Sequence, residues 1–474
     1  MTSAYSYPTL LPRGPSAYPV SSGDSVTMRE CLFIVIFAIL LAGAYWLHKS
    51  GNTYVGMALV GVPFVAVCTI QPRVGLYAYC FWQSWDAAFV IGDTDSGWLT
   101  PAKMLAFLAL GTGLLPLLKQ NAKLLASQAL MGWLFAFTLI VMFSCVWSYD
   151  PARSGRFAAQ LVVQLLLLWV YVKLISVDLA YIKRLFFWTF VGGLTAATYT
   201  ILFGMNQTKF GRATLSESAN PGTVAASLVT AVSCVPVLWI FTRRNWFRAF
   251  LFVGSLVTVL GTFATGSRAA VGGIGIGFIA AALFSRSSAI IGRMVVVMLM
   301  CGLAFGAAWG SLHSGLLGEK SEARLAGWLG VDPPSGARSV IPRGGREEVW
   351  RTAWKGFKGT NGIGAGIGEA ADANLRHAGI YKDVHSNILG SLVEMGILGF
   401  VSFAMINALL VIQSWKMNIR KLTGPAIVIF CGYFSFGATH TTYVTKLFWI
   451  PITFMIILFE FDARVRDPSM LNTR

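Results

Sequence analysis

The feature that most constrains this chain is a succession of apolar runs separated by short polar loops. About 20 consecutive apolar residues are enough for a helix to cross the ~30 Å hydrocarbon core of a bilayer. A helix satisfies its own backbone N–H and C=O groups, which lipid cannot do. The expected fold is therefore an all-α, polytopic transmembrane bundle. Spans are expected near 31–47, 54–70, 75–91, 104–118, 129–147, 157–175, 185–204, 222–241, 248–264, 269–284, 292–309, 387–412, 425–438 and 447–461. The pattern gives about fourteen helices, and about twelve to fourteen fit it. Composition agrees, with 55% hydrophobic and only 12% charged residues, where soluble chains carry about 25%.

The formal net charge of +17 would fit nucleic-acid binding in a soluble protein. Here the Lys and Arg lie between apolar spans, where the positive-inside bias accounts for them, and no nucleic-acid partner is expected. The seven cysteines, Cys31, Cys68, Cys80, Cys145, Cys234, Cys301 and Cys431, fall in or beside apolar runs without disulfide or zinc spacing. Residues 1–30 form an N-terminal segment rich in Ser, Pro and Tyr that reads as disordered. The first apolar run starts late and lacks a small-residue cleavage site, so it reads as an anchor.

Short-loop Lys and Arg set the orientation. Lys119 with Lys123, Lys183 with Arg184, Arg243 with Arg244 and Arg248, Arg286 with Arg293, Lys416 with Arg420 and Lys421, and Arg464 with Arg466 fall on every second loop. These loops and both termini are expected to be cytoplasmic. The resulting division is an N-terminal segment 1–30, eleven helices over 31–309, a long outer loop 310–386, three helices over 387–461 and a tail 462–474. All five histidines then lie outside, with Lys103, Arg153, Arg156, Arg212, Arg268, Arg346 and Lys446. Asp86 and Glu394 are the main ionisable residues left in the membrane, and an intramembrane carboxylate is a functional candidate by default. Chemistry is expected on the outer face.

Several outer motifs have both a chemical and a plain reading. In TGSRAA, Thr265–Ala270, Ser267 can cap a helix that starts at Ala269, and Arg268 stands at its positive end, a natural phosphate site. The same arginine could simply snorkel and anchor a hairpin. In FGRATLSESANPG, Asn220-Pro221-Gly222 is an ordinary turn into a helix, and Arg212 is a second anion candidate. An amphipathic helix is expected from Gly345 to Lys358, with Trp350, Trp354 and Phe357 at helical spacing and Glu347 one turn from Arg351. The run Gly362, Gly364, Gly366, Gly368 is either a hinge or a place where backbone N–H groups approach a phosphate. No strand precedes it, so a dinucleotide loop is disfavoured. His385 can take a proton from a hydroxyl near neutral pH, with Asp383 and Asn387 near enough to orient it, or it is a polar residue ending a loop. His377 and His385 lack metal-ligand spacing, and no metal or cofactor is expected.

The ordered set FATGSRAAVGG, GREEVWRTAW with GIGAGIG, and HSN with VEMGILG after a long outer loop resembles the O-antigen ligase and polymerase superfamily of bacterial envelope glycosyltransferases. Weaker echoes are WLTPAK, SCVWSYDPARS, GRATLSESANP, and Lys446 with Trp449. The resemblance implies a GT-C-like inner-membrane enzyme with a periplasmic active site. Such an enzyme takes a glycan from an undecaprenyl diphosphate carrier, without metal and with expected inversion, and joins it to an acceptor sugar. It makes Arg268 and Arg346 the essential arginines and His385 the essential histidine. Arg212, Gly364, Gly366, Asn387, Lys446 and Trp350 are then candidate contacts to diphosphate or glycan. The acceptor would be a lipid-linked repeat for a polymerase, favoured here by chain length, or the lipid A-core for a ligase. A chain-length regulator and membrane lipids are further expected partners. The lack of a large domain after residue 461 disfavours a protein O-oligosaccharyltransferase. A lipid-glycan flippase is the more distant alternative, disfavoured because its binding groups should sit at the bilayer midplane.

Overall fold

A computed structural model describes residues 53–86, 101–118, 124, 126–204, 213–215, 220–284, 302, 306, 310, 326, 345–438, 440 and 445–466. The chain divides into two compact units, Met1–Ile70 and Gln71–Arg474. The described part of the first is one apolar helix, α1 (Thr53–Ile70). The expected span 31–47, and all but two positions of 292–309, lie outside the described residues, as does the expected disordered N-terminus.

Every regular element among the described residues of the second unit is a helix. It contains α2 (Pro72–Trp82), α3 (Pro101–Leu118), α4 (Gln128–Ser144), α5 (Pro151–Ile175), α6 (Leu179–Leu202), α7 (Pro221–Ser233), α8 (Val235–Ile240), α9 (Asn245–Ala264) and α10 (Arg268–Phe284). It continues with α11 (Gly345–Gly359), α12 (Ala370–Ala378), α13 (Asn387–Lys416), α14 (Arg420–Gly437) and α15 (Lys446–Arg466). Among the described residues, six segments are long and apolar enough to cross a membrane: Gln128–Trp147, α5, α6, Pro221–Ile240, α9 and α13. The protein is thus a helical membrane protein.

Local chemistry sets the helix starts. Asp150 accepts from the Arg153 N–H ahead of Pro151, Asp178 from Ala180, Asn220 from Gly222 ahead of Pro221, and Ser386 from Leu389. The Asn220-Pro221 turn is as expected. Ser267 is not: its carbonyl accepts from Val271, the helix begins at Arg268, and its buried hydroxyl has no hydrogen-bond partner. The expected span 75–91 starts earlier, at Pro72, and the helix stops at Trp82. The expected span 222–241 is split at Cys234 into α7 and α8, where Pro236 follows closely.

The main core joins α2 to α6, α8, and α13 to α15, with Trp449, Phe137, Phe186, Phe190 and Phe454 among its largest buried side chains. Close helix approach comes from small residues. A Cβ on Gly273 would meet Gly432 and Ser435, and one on Gly277 would meet Val428 and Cys431, so α10 lies antiparallel along α14. A satellite core of Ala353, Ala365, Ala370, Ala373, Val384 and Val393 joins α11 and α12 to the first turns of α13. α13 is kinked at Gly396, whose φ of 67° and ψ of −161° are open only to glycine.

Candidate active site

His385 is held by its neighbours. Val384 and Ser386 are buried on either side, Ser386 capping α13, so the imidazole between them is left exposed. Its backbone has φ of 51°, a left-handed conformation rare for a residue with a side chain. Strain of this kind persists where the surroundings enforce it, and it clusters at functional positions. Asp383 Oδ2 lies 3.7 Å from His385 Nδ1, so the expected orienting carboxylate is beside the ring. The preceding run is tied down by Asn374, whose amide donates to the Lys382 carbonyl.

The register between α10 and α14 connects Arg268 to this point. Gly277 pairs with Val428 and Gly273 with Gly432, so Arg268 stands level with Gly437. A Cβ on Gly437 would strike the Asn387 side-chain amide, and Asn387 is two residues from His385. Arg268 and the start of α13 therefore flank the same end of α14. Arg268 is exposed, has no ion pair among the described residues, and opens a helix whose first amides face the same way. His440 stacks on Phe436, with ring centroids 4.2 Å apart, beside the Asn220–Gly222 turn. It was among the expected outer histidines but had no expected role.

Arg346 sits in the first turn of α11, and Lys446 in the first turn of α15. Arg212 lies outside the described residues. The next residue, Ala213, donates its N–H to the carbonyl of Ala264, just before the turn that carries Arg268. Trp350 is on the exposed side of α11. The expected Glu347–Arg351 pair is present at 2.6 Å. Beside it a shallow cleft of about 340 Å³ lies between α11 and the Ala378–Ile380 turn, lined by Glu347, Glu348, Arg351, Thr352 and Lys355.

The glycine run docks onto neighbouring backbone. α11 ends in a Schellman turn: Gly362 N–H returns to Phe357 O and Asn361 N–H to Lys358 O, with Asn361 left-handed. Gly364 N–H then donates to Thr360 Oγ1 and Gly366 N–H to the Glu394 carbonyl. Both amides are thus bonded within the protein, which fits the docking or hinge use of the run. Each glycine of the run has positive φ, and added Cβ atoms would strike Glu394 and Gly396 from Gly364, and Ser148 from Gly366. Ala365 N–H to Val393 O and Ile397 N–H to Gly362 O complete a backbone splice onto the kink of α13. Glu394, expected as an intramembrane carboxylate, is buried at this splice.

The same run presents a cluster that sequence reasoning passed over. Arg153, at the start of α5, reaches Asp372 at 2.8 Å and Glu369 at 3.9 Å. Burial pushes the Glu369 carboxyl up to about 7, with Asp372 and Asp150 adding to the rise and Arg153 opposing it. The nearby Arg376 guanidinium lies over the Tyr149 ring, whose hydroxyl meets His377 Nε2 at 3.1 Å. The sequence signals for this cluster are Arg153 in the SYDPARS stretch and a Glu following GIG ahead of a short helix. Among the described residues, no three His, Cys, Asp or Glu side chains are grouped to hold a metal.

A family model described as O-antigen ligase matches residues 253–404. The match takes in Arg268, Arg346, the glycine splice and His385, and supports the superfamily resemblance. No curated protein matches the chain.

Proposed function

Because the chain carries a domain of the O-antigen ligase and polymerase superfamily at residues 253–404, we propose that it transfers a glycan from an undecaprenyl-diphosphate-linked donor to an acceptor sugar. The reaction is read as taking place on the periplasmic face of a bacterial inner membrane. The observation that carries this reading is the placement of Arg268 level with the start of α13, beside an exposed, strained His385 with Asp383 at its Nδ1.

In this reading His385 accepts the proton of the acceptor hydroxyl as its oxygen attacks the anomeric carbon. Asp383, with its carboxylate 3.7 Å from Nδ1, is placed to orient the ring for this role. Negative charge grows on the diphosphate as the glycosidic bond breaks. Guanidiniums of Arg268 and Arg346, with the positive end of α10, stabilise that charge, and Arg212 and Lys446 are further contacts. Attack opposite the leaving group inverts the anomeric centre. Asn387, packed on Gly437, keeps the start of α13 in register with α10.

The favoured acceptor is another lipid-linked repeat, making the protein a polymerase. The description of the matching family favours the second reading, ligation to the lipid A-core. Purified full-length protein incubated with a lipid-diphosphate glycan, with and without lipid A-core, separates them. Longer lipid-linked glycans mean polymerase, and core conjugates mean ligase. Absence of any new glycosidic bond with both acceptors, alongside movement of the lipid-linked glycan across vesicles, would replace transfer by transport. Normal turnover by a His385→Ala protein would remove His385 as the base.

A further inference from the structure

α11 has three faces. Val349, Thr352, Ala353 and Gly356 are buried and pack against α12 and α13. Arg351, Lys355 and Lys358 form an exposed basic face with Glu347. The third face carries Trp350 and Trp354, 43% and 48% exposed, with Phe357 half-buried against the Trp354 ring at 5.4 Å. Spacing at i, i+4 and i+7 makes these three side chains a continuous apolar stripe.

The end of α11 shows what lies against that stripe. Its terminal turn bonds to α13 immediately past Gly396, through Gly362 O and Ile397 N. Up to the kink, Gly390–Gly396 are all buried; beyond it, Ile397, Leu398 and Val401 are exposed at 52%, 66% and 42% on a membrane-spanning helix. The stretch Ile397–Lys416 is about 30 Å long at ~1.5 Å per residue, which equals the hydrocarbon thickness. Trp415 and Lys416, at its far end, are residues suited to the opposite interface. A hydrocarbon edge at Gly396 fits this length, and the end of α11 is bonded beside it. Ile363, 57% exposed, carries the apolar stripe into the lipid-facing side of α13.

We infer that α11 is an interfacial helix that rests on the phospholipid bilayer surface. Trp350, Trp354 and Phe357 enter the headgroup and upper acyl region, and the basic face meets lipid phosphates. Lys358 fits this placement: its ammonium stands 5.6 Å from the Trp354 ring centroid, where the stem can lie along apolar surface while the charge stays among phosphates. The inference is independent of the transfer reaction. It gives Trp350 a lipid contact in place of the glycan contact expected from the sequence.

The test uses full-length protein in nanodiscs of phosphatidylethanolamine and phosphatidylglycerol. Nitroxide labels go on Trp354→Cys and, separately, Arg351→Cys, with the signal of identically treated wild-type protein subtracted for native cysteines. Power saturation should find the label at 354 several-fold more accessible to oxygen than to a water-soluble nickel chelate, and the label at 351 the reverse. Equal nickel accessibility at both positions would mean a water-facing stripe, and exclusion of both reagents at 354 would mean a protein cover. Either result overturns the inference. Should the label at 354 disturb folding, quenching by brominated lipids compared between wild type and Trp354→Phe decides the same question. Unchanged quenching on removing this indole overturns the inference.

Discussion

The two ends of the bundle treat their polar groups differently. At the end where α4 and α14 begin, carboxylates of α15 act as caps for other helices. Glu460 accepts from the N–H groups of Ala126 and Ser127 and from the Ser127 hydroxyl, ahead of α4. Asp462 accepts from the N–H groups of Asn418 and Ile419 ahead of α14, and from Arg466. At the other end Arg268 and His385 are exposed, Ser267 has an unspent hydroxyl, and His385 has a strained backbone. At the first end these two carboxylates are consumed in holding helices together, whereas at the second Arg268 and His385 face outward. Only groups of the second kind are available to a substrate.

The sharpest way to break this contrast is to remove one group from each kind. Arg268→Ala and His385→Ala should each lower glycan transfer by about 10²–10⁴-fold, the usual range for a general base or a charge-stabilising donor. Melting temperature should stay close to wild type, and a large drop would mean these residues serve stability instead. Next in size, Gly396→Ala sets a Cβ against the Gly362 and Ile363 carbonyls at a backbone conformation open only to glycine. It should cost about 3 kcal/mol or more, read as lost thermal stability and as protease cleavage around the glycine splice. Glu460→Ala leaves three donors without this acceptor and should cost about 2–3 kcal/mol, while transfer per folded molecule stays unchanged.

The smallest effect tests a group that belongs to neither class. Glu369 is buried, and its carboxyl is raised to about 7. A folded-state pKa above the ordinary carboxylate value means that the docked segment is favoured at low pH and loses that contribution as pH rises through about 7. Glu369→Gln, neutral at every pH, should flatten the fall in melting temperature between about pH 5 and pH 8. The substitution does not alter the Arg153–Asp372 pair, 2.8 Å apart in the wild-type chain. An unchanged pH slope would assign the dependence to another group.

Much of the bundle was legible because its signals are local. Apolar length located α4, α5, α6, α9 and α13, and Asn220-Pro221 located the start of α7, since span and cap are written in neighbouring residues. The ends of α11 were equally readable from its periodicity and from Asn361-Gly362. The glycine splice was not, because its partners, Val393, Glu394, Ser144 and Ser148, lie far along the chain. A run of alternating glycines reads the same whether a phosphate or another backbone fills the space. Ser267 failed for a related reason: a serine before a helix is a cap only if the turn aims its hydroxyl at a free amide. Arg268 and His385 were legible as types of residue, while their common level at the end of α14 needed the packing of α10.

The φ of 51° at His385 also makes this position a marker of selection. Glycine adopts this conformation freely and asparagine adopts it more readily than most side chains, so either would relieve strain there. In a population selected only for folded, membrane-inserted protein, without demand for glycan transfer, position 385 should drift toward glycine or asparagine. Under selection for envelope glycan it should stay histidine, and sequencing the two populations would expose a trade that neither stability nor activity reveals separately.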